Sequence, residues 1–116
     1  MPHTNGTIDT SQLLKGVLDI AVLAVLADKD SYGYDVLRRL RESGLEDVGD
    51  ASVYGTLRRL YQAGALKSYV VPSDAGPHRK YYGLNQAGRD LLEQAGKQWQ
   101  AFTEAMDGLL STEEAA

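Results

Sequence analysis

Residues Asp50 to Leu84, DASVYGTLRRLYQAGALKSYVVPSDAGPHRKYYGL, decide the fold. In the first part, Val53, Leu57, Leu60, Tyr61 and Gly64 recur at spacings of three and four, the stripe that a packed helix turns inward. Gly55, Arg59 and Gln62 then point outward, with Arg58 and Ser52 on the two flanks. A face of guanidinium forks, an amide, a hydroxyl and one position without a side chain suits a helix laid in the major groove of DNA. ALKSYVV reads as a strand, PSDAGP as a turn, and HRKYYGL as a second strand that opens on two cations. The result is a hairpin with Arg79 and Lys80 near its tip. Helix and hairpin together predict a winged helix-turn-helix, a mainly α fold with a small β-hairpin.

The overall formal charge of -4 argues against nucleic acid, but the charge is unevenly placed. Residues 1–50 carry five Lys+Arg against nine Asp+Glu, residues 51–82 five against one, and residues 83–116 two against six. The basic excess is confined to the helix and hairpin, where Arg58, Arg59, Lys67, Arg79 and Lys80 face a single Asp74.

A chain of 116 residues, 43% hydrophobic, suits one domain with a modest core that gains from a second subunit. There is no cysteine, which excludes disulfides and thiolate metal sites. The longest apolar run, Ile20 to Ala27, is far short of the ~20 residues a membrane span needs, and no basic segment precedes it as in a signal peptide. A cytoplasmic protein is expected.

The polar segment 1–10 predicts a disordered tail. A helix follows from about Ser11 to Ala27, with one apolar stripe of Leu13, Val17, Ile20 and Ala24 and another of Leu14, Leu18, Val22 and Val25. Two apolar faces call for two neighbours, the chain's own core and a second subunit. The next helix is expected from Ser31, as its cap, to Ser43, with Val36, Leu37 and Leu40 inward and Gly44 as its left-handed stop. Tyr34 stands at its start, where hydroxyls and helix amides commonly hold phosphate. Arg38, Arg39 and Arg41 lie along it, and pairing with nearby carboxylates is the expectation for most of them. Asp50 is the expected cap of the recognition helix, and residues 11–84 form the DNA-binding domain.

Asn85 caps a last helix to about Leu110, followed by a frayed tail over 111–116. Leu92, Trp99 and Met106 recur every seven residues, and Ala95, Phe102 and Leu109 interleave with them, the seam of two paired helices. Residues 85–110 are therefore expected to form a homodimer interface. No catalytic constellation is present. His3 and His78 belong to no ligand cluster, no phosphate-binding glycine motif occurs, and no metal or cofactor is expected.

Three segments, SYGYDVLRRL at 31–40, SVYGTLRRLYQAGAL at 52–66 and GPHRKYYGLNQAGRDLL at 76–92, resemble the PadR-like transcriptional regulators in order and spacing. The likeness runs from about Leu14 to Leu92, and R-K-Y-Y-x-L followed by x-x-x-G-R is its most specific part. It implies a winged helix-turn-helix with dimerising N- and C-terminal helices, and a repressor released from DNA by a small ligand. The single final helix resembles the compact branch of the family. By the same resemblance, Tyr34, Tyr54, Arg79 and Lys80 lie at or near the DNA backbone. Two features depart from the pattern. Gly55 replaces a proline, and Asn85, Gln86 and Ala87 replace a threonine and an acidic residue.

The leading reading is a dimer on a pseudo-palindromic site of double-stranded DNA, with Arg59, Gln62 and Ser52 reaching base edges. Arg58, Tyr54, Tyr34, Arg79 and Lys80 would hold phosphates. The resemblance to compact family members implies that Trp99, with Phe102, stacks on a small aromatic effector in a pore at the dimer interface; the alternative is that it anchors a closed dimer core. The rivals are a dimeric winged-helix module that binds protein, and a small-molecule carrier built around Trp99.

Overall fold

The computed structural model of the chain describes residues 10–115. The elements run α1 (Thr10–Asp28), β1 (Ser31–Tyr32), α2 (Gly33–Glu42), α3 (Asp50–Gln62), β2 (Leu66–Val71), β3 (Arg79–Leu84) and α4 (Gln86–Ala115). The tail expected over 1–10 lies outside the described residues except for Thr10, which opens α1. This is a winged helix-turn-helix, with α2 and α3 as the helix pair and β2–β3 as the wing.

α1 is the central post. Leu14, Leu18, Val22 and Leu26, four residues apart, are buried with Leu23 against Val36, Leu37 and Leu40 of α2 and Val53, Leu57 and Leu60 of α3. Leu66 and Leu84 close the sheet end of this core. Of the other apolar stripe of α1, Leu13 and Ala24 are exposed, and Val17 and Ile20 are half-buried.

Two glycines stop the helices that flank the turn. Gly44 (φ 116°) ends α2, and the Leu45 amide donates back to the Leu40 carbonyl at 3.1 Å while its side chain packs on the core. Gly64 (φ 85°) does the same for α3, with the Ala65 amide on the Leu60 carbonyl at 3.0 Å. Only glycine enters this left-handed region without strain. Gly64 is thus a turn residue and not part of the inward stripe.

Helix starts differ from expectation at two places. Ser31 does not cap α2: it lies in β1, a third strand, with Ser31 opposite Tyr82 and Tyr32 opposite Tyr81. The sheet order is therefore β1-β3-β2. Asp50 does not cap α3 either, because Gly49 holds the N-cap position without a side-chain bond and Asp50 is the first helical residue. Its carboxylate still favours the positive end of the helix.

At α4 the expected cap is present. Asn85 Oδ1 accepts the Gly88 amide at 2.8 Å, and Asn85 Nδ2 donates to the Gly64 carbonyl at 2.8 Å, tying the start of α4 to the end of α3. α4 continues to Ala115, past the Leu110 expected, so residues 111–115 of the segment read as a frayed tail are helical, and Ala116 lies outside the described residues. Leu92, expected on the dimer seam, instead packs on the domain's own core. Beyond Ala95 and Gly96, which are half-buried, α4 leaves the domain and exposes Trp99, Phe102, Met106, Leu109 and Leu110. No helix among the described residues is long and apolar enough to cross a membrane.

Candidate nucleic-acid interface

The buried face of α3 is Val53, Thr56, Leu57 and Leu60. Thr56 is buried, whereas Tyr61, expected inward, is exposed. That rotates the outward face by part of a turn. Ala51, Gly55, Arg58 and Gln62, at helical spacings of four, three and four, now form its centre. Ser52 and Arg59 flank the centre on the side of α1, Tyr54 and Tyr61 on the side of the sheet. Arg58 and Gln62 have no hydrogen-bond or ion-pair partner among the described residues. A Cβ on Gly55 would meet nothing within 4 Å, so the missing side chain leaves open space and not a contact.

Arg59 is held differently. Nη1 and Nη2 donate to the two oxygens of Asp19 on α1 at 2.7 and 2.8 Å, a bidentate fork. The hydrogen bond and charge of Asp19 raise the guanidinium pKa above its ordinary value.

The wing brings its cations against α2 and α3. Strand alternation sends Arg79 over the Tyr32 ring, 4.5 Å from its centre, and Lys80 to the other face, 5.6 Å from Tyr61 and 5.5 Å from Tyr82. Neither cation pairs with a carboxylate among the described residues. Between them a depression of about 300 Å³ is lined by Tyr34, Tyr54, Arg79 and Lys80, with Gly33 at its base. The N-cap of α2, Tyr32, makes no side-chain cap bond. Two phenols and two cations without a carboxylate partner are thus gathered on one face, a chemistry suited to phosphate. The four residues that the resemblance implies for the DNA backbone are thus brought together, beside the outward strip of α3.

On the outer side of the sheet Tyr69 stacks on Tyr81 with centroids 5.8 Å apart, and Tyr32 lies tilted against Tyr81 at 5.4 Å. The Tyr69 hydroxyl donates to Asp30 at 2.6 Å, and that bond holds its pKa above the usual 10.0. Asp30 also lies over Gly83, where a Cβ would collide with its carboxylate. This ladder stiffens the wing. Sequence reasoning missed it, although Tyr69 and Tyr81 fall opposite each other once the hairpin register is set.

The arginines of α2 are used within the fold. Arg38 pairs with Asp35 and Glu42. Arg39, with its side chain only 14% exposed, donates to the Val25 carbonyl at 3.0 Å, Asp28 at 2.8 Å and Ser31 Oγ at 2.6 Å, closing the end of α1. Arg41 donates to the Val48 carbonyl at 2.9 Å and lies 3.6 Å from Asp50. Burial raises the Asp35 pKa, but hydrogen bonds from Arg38 and Ser31 and the charges of Arg38 and Arg39 outweigh it and hold it below 3.8. No group of three or more metal-ligand side chains occurs among the described residues. On α4, Trp99 and Phe102 lie with ring centres 6.1 Å apart, open to solvent.

Comparison with known proteins matches residues 22–94 to the transcriptional regulator PadR-like family. A Streptococcus transcriptional regulator of known structure is 33% identical, with a TM-score of 0.75 over 84% of this chain and 96% of its own. A PadR-like transcriptional regulator from Bacillus cereus is 30% identical, with a TM-score of 0.76 over 85% and 96%. A PadR family transcription regulator from Clostridium difficile is 32% identical, with a TM-score of 0.74 over 82% and 99%.

Proposed function

The chain belongs to the PadR-like family and is a DNA-binding transcriptional regulator, not an enzyme, and from that premise we propose that it is a cytoplasmic, homodimeric repressor of a pseudo-palindromic operator. The observation that carries this reading is the gathering of Tyr34, Tyr54, Arg79 and Lys80 around one depression next to the outward strip of α3. With α3 in the major groove, Arg58, Gln62 and Ser52 face base edges, and the depression and wing clamp the adjacent phosphates. The exposed apolar faces of α1 and α4 supply the two-fold interface, which spaces two recognition helices about one turn of B-DNA apart, ~34 Å. A flat aromatic effector stacking on Trp99 and Phe102 there changes that spacing and so releases the operator.

The test is selection of duplexes from a random pool, followed by gel shifts of the selected duplex and a scrambled control at low and near-physiological salt. Enrichment of a pseudo-palindrome that alone is still shifted at the higher salt is the expected result. No enrichment, or equal loss of both duplexes as salt rises, overturns the reading.

A further inference from the structure

α1 and α3 do not close completely on one another. A groove of about 420 Å³ lies between them, floored by Leu14, Leu18, Val48 and Thr56 and lined at its edge by Asp19 and Arg59. Beneath it the helices pack through Leu14, Leu18, Val53 and Leu57, but at the groove itself apolar contact between them is incomplete. There the two helices are joined by the Asp19–Arg59 fork, which links residues 40 positions apart through bonds of 2.7 and 2.8 Å. Two parallel bonds fix orientation as well as distance, which one contact does not. Arg58, next in sequence, already occupies the centre of the outward strip without a partner among the described residues.

We propose that Arg59 is a positioning residue: paired with Asp19 across the groove, it sets the angle at which α3 presents Arg58 and Gln62 to DNA and does not itself touch DNA. This rests on the reading of α3 as the helix that meets DNA. It gives α1, whose Leu13 is exposed on its other side, a direct mechanical link to the recognition helix.

Gel shifts on the selected duplex, over a salt series, compare wild type, Asp19→Asn, Arg59→Gln and the exchange Asp19→Arg with Arg59→Asp. The positioning role requires both single variants to weaken binding by a similar factor, roughly tenfold, the cost of about one base contact. Their salt slopes stay unchanged, and the exchange, which rebuilds the pair with reversed charges, recovers most of the affinity. If Arg59 contacts DNA, Arg59→Gln alone is impaired, its slope falls by about 0.9 for a phosphate contact, and the exchange binds worst because it sets a carboxylate against DNA. That pattern overturns the positioning role and leaves α3 as the reading helix. Failure of wild type to select a duplex instead removes the reading of α3, and the inference with it. Both side chains are well exposed, 59% and 45%, so the variants keep their fold. A fall in Tm without any change in DNA affinity marks a purely structural pair and also overturns the proposal.

Discussion

The Tyr54 ring of α3 lies directly on Gly33, the first residue of α2, where any Cβ would collide with it. One glycine therefore positions a phenol at the depression proposed to hold phosphate. Gly33→Ala is expected to evict the ring, destabilise the fold by about 1–3 kcal/mol through overpacking, and weaken binding to every DNA sequence. Tyr54→Phe, which keeps the ring and removes only the hydroxyl, should leave Tm unchanged while weakening binding. Thermal denaturation beside gel shifts separates the two effects, and equal DNA affinity in all three proteins would remove Tyr54 from the interface.

The wing cations make a second prediction. Arg79 and Lys80 lean on tyrosine rings without a carboxylate partner among the described residues, so their charge is available to phosphate. Arg79→Ala and Lys80→Ala should each lower the slope of log affinity against log salt by about 0.9, on selected and scrambled duplexes alike. Because both side chains are exposed, Tm should move little. An unchanged slope in both variants would take the wing off the DNA.

Much of this architecture is legible in the sequence, for local reasons. Gly44, PSDAGP and Asn85 mark their boundaries through backbone chemistry that acts within a few residues, and the structure keeps each of them. What was not legible depends on contacts between distant segments. β1 has two residues, too short to show alternation, and exists because β3 offers Tyr81 and Tyr82 as partners. The face of α3 was misjudged because Thr56 reads as polar and Tyr61 as apolar, while the wing leaves Tyr61 at the surface beside Lys80. The Asp19–Arg59 fork has no sequence signal at all, since the two residues belong to separate helices.

Acid should reveal the clasp on α2. The Asp35 pKa is depressed below 3.8 in the folded chain. A depressed carboxylate contributes stability that is fully present above its unfolded pKa and disappears as pH falls through the folded value. Asp35→Asn should therefore lower Tm at neutral pH. Its Tm should then fall less steeply than that of wild type below about pH 4. Parallel curves for the two proteins over the acid range would show that Asp35 is not coupled to folding.

The last prediction concerns what covers α4. Phe102 and Leu109 are 59% and 67% exposed, on the same helix as Trp99, Met106 and Leu110, and a lone chain leaves this apolar surface in water. If a second copy covers it, a carboxylate at Phe102 is buried without a partner on association. That costs roughly 3 kcal/mol or more, about a hundredfold in Kd. Wild type should sediment at twice the 12.6 kDa chain mass, and Phe102→Glu at one chain mass with its helix content intact. Because the substituted position lies far along α4 from the winged domain, the monomeric variant keeps the depression proposed to hold phosphate and should still bind DNA, with the weak, sequence-independent affinity of one half-site. Wild type at a single chain mass, or Phe102→Glu at twice that mass, would rule out this helix as the two-fold interface and leave the spacing of the recognition helices without its structural basis.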